Sequence, residues 1–315
     1  MNKKYKNISP KIRKRGVIVN LFIKFDDEKS LRKLSRRMQK APYIQNKNLI
    51  KEEVYIKFDN DEKIRVLIYR GKNTKPNATG LLWLHGGGHA LATPETEEPI
   101  IEKFVMNTNT VVIAPDYTLS VKKPYPTALL ECYTCLLWTK NNAKSLGINE
   151  NQLMIGGVSA GGGLTAALSL YARDKKEVDI SFQMPLYPMI NHKTIYDGTV
   201  KDDFLLWNLR QNEVAWKVYL GEFYGADDIP KYASPLLEID YLGLPPTYTF
   251  VGREDPFCND TIEYVSRLND FGVNAECDVY EHMYHGFEVV NPDFSLSKVA
   301  IKKLIHAYKY AIEHY

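Results

Sequence analysis

Cysteine is scarce in this chain, at four residues in 315. That is too few for a disulfide framework. Cys132 and Cys135 have C-x-x-C spacing, but they lie in a helix-compatible stretch beginning near Tyr125. No second ligand pair follows at zinc spacing, so these two read as buried or helix-face thiols, and so do Cys258 and Cys277. Long apolar runs are also missing: no stretch approaches the roughly 18 apolar residues of a membrane span. Charge of one sign is not in excess either. The 41 lysines and arginines face 38 acids, a net +3, which argues against a general nucleic-acid binder. A basic start (Lys3, Lys4, Lys6, Lys11, Arg13, Lys14, Arg15) precedes Val17–Phe25, which Asn20 and Lys24 interrupt. With no small-residue cleavage site, no signal peptide is expected, and the expected compartment is the cytoplasm. The basic run reads as a solvated helix face rather than a lipid or partner site.

What is present is a folding chain: 44% apolar and 25% charged residues exclude wholesale disorder, and the length supports a large core. Residues 1–48 are charge-rich and helix-compatible, with Leu31, Leu34 and Met38 at helical spacing. Strand patterns begin at Val54, and Ile64, Val66 and Ile68 suit a strand with one wetter face. Short apolar strands (81–84, 111–114, 153–155, 180–186, 248–251, 276–280) then alternate with helical segments (100–106, 126–146, 161–172, 259–271, 297–314). Gly147 is a plausible helix stop. This alternation predicts an α/β fold with a mostly parallel sheet covered on both faces. Residues 189–244 interrupt the rhythm with an aromatic-rich insertion that is unusually long for a connection.

Gly157-Val158-Ser159-Ala160-Gly161 is a G-x-S-x-G between a predicted strand and a predicted helix. A serine at such a turn projects its hydroxyl above the carboxyl edge of the sheet, with a helix N-terminus behind it. His85-Gly86-Gly87-Gly88 follows another strand. Three adjacent glycines cost entropy and make sense as a loop whose N–H groups face an oxyanion, with Gly86, Gly87 and Ala160 as donors. His85 reads as an orienting group and His89 as loop. A serine nucleophile needs a base, and the base an orienting carboxylate. On position alone, Glu254 and Asp255 compete for the acid, and His282 and His285 for the base.

The ordered set HGGG, GVSAGG, Asp255-Pro256-Phe257 and His285-Gly286-Phe287 resembles the hormone-sensitive-lipase-like esterases of the α/β-hydrolase fold, in particular the bacterial acetyl-esterase-like members. The likeness covers roughly residues 50–315. It implies Ser159 as nucleophile, Asp255 as acid, His285 as base, and oxyanion donors at Gly86, Gly87 and Ala160. It also implies a helical cap built from residues 1–48 and the 189–244 insertion, over a catalytic domain spanning 49–315. The chain departs from the family pattern at Val158, commonly acidic, at Cys258-Asn259-Asp260, and at Thr118 and Ser120-Val121-Lys122. None of these removes a triad member. The implied activity is hydrolysis of short-chain acyl esters (acetyl to butyryl) of small molecules, with no metal or cofactor. Phe204, Leu205, Trp207 and Phe287 are the expected pocket residues. An amidase or peptidase on the same triad and a non-catalytic receptor on this scaffold are the competing readings. Such relatives commonly dimerise through the last strand, so a homodimer is an open expectation.

Overall fold

The computed structural model describes residues 4–44, 46–59, 62–195 and 201–315. Its first elements are α1 (Pro10–Ile23) and α2 (Glu28–Gln39). Proline opens α1, where its missing N–H costs nothing. Asp27 caps α2: its carboxylate accepts the Ser30 N–H at 2.7 Å, and the Ser30 hydroxyl accepts the Asp27 N–H at 3.2 Å. Next come β1 (Ile50–Lys57), β2 (Lys63–Arg70), β3 (Ala78–Leu84), α3 (Glu98–Asn107), β4 (Thr110–Pro115), α4 (Thr127–Asn141) and α5 (Ala143–Leu146). The chain continues through β5 (Ile148–Val158), α6 (Ala160–Lys175), β6 (Phe182–Leu186), α7 (Leu209–Leu220), β7 (Thr247–Glu254), α8 (Cys258–Asp270), β8 (Ala275–Tyr284), α9 (Phe287–Val290) and α10 (Ser295–His314).

The helix expected over 126–146 is divided at Asn142, whose N–H turns back to the Trp138 carbonyl. Gly147, with φ of 69°, ends the second piece as expected. The strands form a sheet in the order β1-β2-β4-β3-β5-β6-β7-β8. β2 runs antiparallel to β1 and β4, and every pairing from β4 to β8 is parallel. The α/β expectation holds. The wetter face expected of β2 holds only at its start: Lys63 is exposed and Arg65 partly so, whereas Leu67 and Tyr69 are buried in an apolar layer that also holds Ile8, Ile12 and Leu49.

Two apolar layers sandwich the sheet. One holds Trp83, Phe104, Met184, Phe250, Leu304 and Tyr308. The other holds Ile68, Leu82, Ile113, Leu136, Ile155 and Leu168, together with the thiols of Cys132 and Cys135. Both of these cysteines are buried and free, Cys258 is buried and free, and Cys277 is partly exposed. A third cluster joins α2 to α7 through Leu31, Leu34, Trp207, Trp216 and Tyr219. The expected cap segments, 1–48 and 189–244, include residues outside the described set (1–3 and 45, and 196–200). Among the described residues no helix is long and apolar enough to cross a membrane.

The parallel strands β3, β5, β7 and β8 end on one edge, so the loops that follow them converge there. Phe104 anchors the layer beneath, tilted against Trp83 at 5.0 Å and edge-on to Tyr308 at 4.9 Å. Phe104→Ala is expected to lower unfolding free energy by about 3–5 kcal/mol. A urea melt checks this through a lower midpoint with an unchanged slope.

Candidate active site

β5 ends at Val158 and α6 begins at Ala160, leaving Ser159 alone in the turn. Its φ of 56° is uncommon for a residue with a side chain. The backbone is pinned there: the Ser159 N–H donates to the Leu186 carbonyl at 2.9 Å, and the Ser159 carbonyl accepts from Gly163 and Met189. Gly161 lets the turn press against the end of β3. A Cβ there would lie 2.5 Å from the His85 carbonyl oxygen and closer still to that of Leu84.

Asp255 follows β7 and His285 follows β8. The Ser159 hydroxyl donates to His285 Nε2 at 2.9 Å, and His285 Nδ1–H donates to Asp255 Oδ2 at 2.8 Å. The other Asp255 oxygen accepts the Phe257 N–H at 2.9 Å. All three side chains are buried. Tyr187 and Phe257 stand edge-on to the imidazole at 5.0 and 5.3 Å, so it is held in position. The competing pair lies elsewhere: Glu254 still belongs to β7, and the exposed His282 donates from Nδ1 to the Asn7 carbonyl. Such a chain can move a proton from a hydroxyl to an imidazole whose other nitrogen is fixed by a carboxylate.

Gly86 and Gly87 face the same cavity as Ser159. Gly87 has φ of 107°, and a Cβ there would lie 2.5 Å from the Leu91 carbonyl oxygen. Ala160 is the first residue of α6, so its N–H has no acceptor within the helix. The Gly86 N–H, expected to be uncommitted, points to Glu97 Oε1 at 3.3 Å. His85 orients the loop as expected, donating from Nδ1 to the Gly86 carbonyl at 2.8 Å and stacking on Tyr117 at 4.1 Å. His89 is more than loop: it is buried and stacked on Tyr219 at 3.8 Å, and burial pushes its pKa down to about 3.

The cavity over Ser159 has a volume of about 250 Å³. Val19, Ile23, Leu206, Trp207, Val289 and Val290 supply most of its apolar wall. Of the four expected pocket residues only Trp207 is there. Leu205 is fully buried in the layer that also holds Tyr284, Phe287 packs against Phe250 and Tyr280, and the partly exposed Phe204 is not on the lining. Leu206, at φ of 71°, turns the chain so that it enters the cavity in place of Leu205. A larger depression of about 490 Å³, near Gly71–Lys75 and Val105–Asn109, lies away from the triad and has no histidine or acid in its lining. Among the described residues no group of three or more histidines, cysteines and acids is placed to hold a metal ion.

Residues 81–289 match a family model described as alpha/beta hydrolase fold. The chain belongs to the hormone-sensitive-lipase-like esterases of that fold. It is 26% identical over 275 residues to Carboxylesterase NlhH of Mycobacterium tuberculosis, covering 81% of this chain and 83% of that one. It is 31% identical over 200 residues to an arylesterase of Saccharolobus solfataricus, covering 61% and 63%. Its structure superposes on "Bacterial Heroin Esterase" with a TM-score of 0.86 at 26% identity, covering 98% of both chains. The chain is an ester hydrolase.

The esterase carries two acids that the sequence reading passed over. Glu97 accepts the Gly86 N–H and, at 3.3 Å, the Trp83 indole N–H. The buried Glu288 accepts the Tyr187 hydroxyl at 2.5 Å, and its second oxygen has no hydrogen-bond partner among the described residues. Nothing in the sequence of the Glu95–Glu98 run singles out Glu97 from Glu95 and Glu98. Glu288 has a positional signal, lying three residues after His285. Arg65 fixes the segment ahead of Glu97 by pairing with Glu95 at 2.8 Å and Asp116 at 2.9 Å. Burial raises Glu95, but the Arg65 hydrogen bonds more than offset it and hold the acid at about 2.

Burial raises both Glu97 and Glu288 from 4.5 to about 7, and the charge of Glu288 adds to the effect on Glu97. The fold therefore binds their protons more tightly than the unfolded chain does. Their stabilising effect is complete below about pH 4.5 and is lost as pH rises toward about 7. The Glu97→Gln/Glu288→Gln double variant is expected to lose less stability than wild type across that window. Urea midpoints at both ends of the window check this.

Proposed function

We propose that this esterase is a serine hydrolase that cleaves short-chain acyl esters, acetyl to butyryl, through an acyl-enzyme. The observation that carries the reading is the hydrogen-bonded chain from Ser159 through His285 to Asp255, with links of 2.9 and 2.8 Å. In this reading Ser159 attacks the ester carbonyl while His285 takes its proton. Asp255 holds the imidazole tautomer and stabilises the imidazolium. The N–H groups of Gly87 and Ala160 receive the oxyanion charge, joined by that of Gly86 once it turns from Glu97. His285 then protonates the leaving alkoxide. A water attacks the acyl-enzyme by the same route and releases the acid. This sequence needs no metal or organic cofactor.

Acyl size follows from the walls. A cavity of about 250 Å³ bounded by Leu206, Trp207, Val289 and Val290 suits a short, apolar acyl group. The residues 1–48 segment and the 189–244 insertion serve as the cap in this reading. Its support is that Val19, Ile23 and Met38 come from the first and Leu206 and Trp207 from the second, all on the same lining. The ligand is a small-molecule ester.

Initial rates on p-nitrophenyl esters from acetate to laurate test the proposal. The expected result is a maximum at short chains and complete loss in Ser159→Ala. Asp255→Asn is expected to lower kcat by roughly 10⁴-fold. A folded Ser159→Ala variant that retained wild-type rates would overturn the mechanism. Anilides turned over as fast as esters would move the activity to an amidase.

A further inference from the structure

Helix α1 has two apolar faces. Val19 and Ile23, partly buried, turn inward and line the cavity over Ser159. Val17, Ile18, Leu21 and Phe22 fall one helical turn apart on the opposite side and are exposed, Leu21 by 73% and Phe22 by 63%. Helix spacing puts the exposed Lys11, Lys14 and Arg15 on that same outer side, one to two turns earlier. At the other end of the patch the exposed Arg37 of α2 donates to the Phe22 carbonyl. No acid lies within α1. A solvated charged face does not describe this surface, because its second half is apolar.

Charge in the whole chain is divided in the same sense. Residues 1–48 hold 15 lysines and arginines against 3 acids, a net +12. Residues 49–315 hold the remaining 26 against 35 acids, a net −9. The near-neutral total therefore conceals a strong dipole of sequence charge, positive on the segment that carries the exposed apolar side chains.

We propose that the outer face of α1 docks the esterase on an anionic lipid surface, with Leu21 and Phe22 entering the headgroup region and the flanking cations meeting lipid charge. The patch is a convex helix rather than a groove. A protein partner would have to supply a matching trough, whereas a bilayer opens around an inserted side chain. Nucleic acid would meet the cations but leave the leucine and phenylalanine in water. The acidic body is repelled by the same surface, so docking has one orientation. Amphipathic helices with cations beside bulky apolar residues bind lipid interfaces in this way.

Co-sedimentation of the full chain with phosphatidylcholine vesicles, with and without phosphatidylglycerol, tests this at low and high salt. Wild type is expected to bind the phosphatidylglycerol vesicles and to release as salt screens the cations. Leu21→Ser/Phe22→Ser is expected to weaken binding at least about 10-fold, as its apolar anchors are lost. Lys11→Glu/Lys14→Glu/Arg15→Glu is expected to weaken it by about 10²-fold, from the loss of about 1 kcal/mol per cation. Both variants, altered away from the cavity, should keep the wild-type rate on a soluble ester, which shows that they are folded. Failure of wild type to bind, or equal binding by Leu21→Ser/Phe22→Ser, would overturn the proposal. So would a concentration-dependent dimer that this double variant abolishes, since the patch would then belong to a second copy of the chain.

Discussion

The contact between the turn after β5 and the end of β3 sets the geometry of everything above the sheet. Gly161 lies so close to the carbonyls of Leu84 and His85 that no side chain fits between them. That closeness brings Ser159 and the glycine loop to the same side of the cavity. It also explains why Ser159 keeps a left-handed backbone: three backbone hydrogen bonds, to Leu186 and from Gly163 and Met189, hold the turn from outside it. Strain at such a position survives only where its surroundings over-determine it.

Around that contact the polar groups are arranged in two layers with opposite electrostatics. Closest to the ester site, Glu97 and Glu288 are acids that burial drives toward their neutral form. Farther out, Arg65 gathers Glu95 and Asp116 and holds Glu95 as an anion. The inner acids bind through hydrogen bonds to Gly86, Trp83 and Tyr187. The outer pair holds the loop in place. Burial likewise disfavours the charged form of the His85 ring, which serves as a brace stacked on Tyr117.

How much of this the sequence disclosed follows from which features are local. The strand–helix alternation, the glycine-flanked serine and the order of acid and histidine are written in short windows, and the structure brings Ser159, Asp255 and His285 into one hydrogen-bonded chain. Choosing Asp255 over Glu254 and His285 over His282 needed the family resemblance, because adjacent positions at a strand end differ only in where the strand stops. The pocket was harder. Residues 204–207 have no helical or strand period, and a single left-handed residue, Leu206, decides which side chain enters. Phe287 lies next to the histidine loop in sequence but turns into the core. Val19 and Ile23 lie in the apolar run that Asn20 and Lys24 interrupt, and only their place beside Ser159, over 130 residues later in sequence, makes them cavity wall.

The wall contributed by α1 also bears on the order in which the site is made. Translation delivers Val19 and Ile23 first, the glycine loop and Ser159 later, and His285 near the end. A nascent chain therefore holds the proposed nucleophile without its proposed base for more than a hundred residues of synthesis. In the proposed mechanism hydrolysis waits until β8 pairs beside β7 and carries the imidazole to Ser159. On that reading β8, the last strand in the chain, is the one that completes the site.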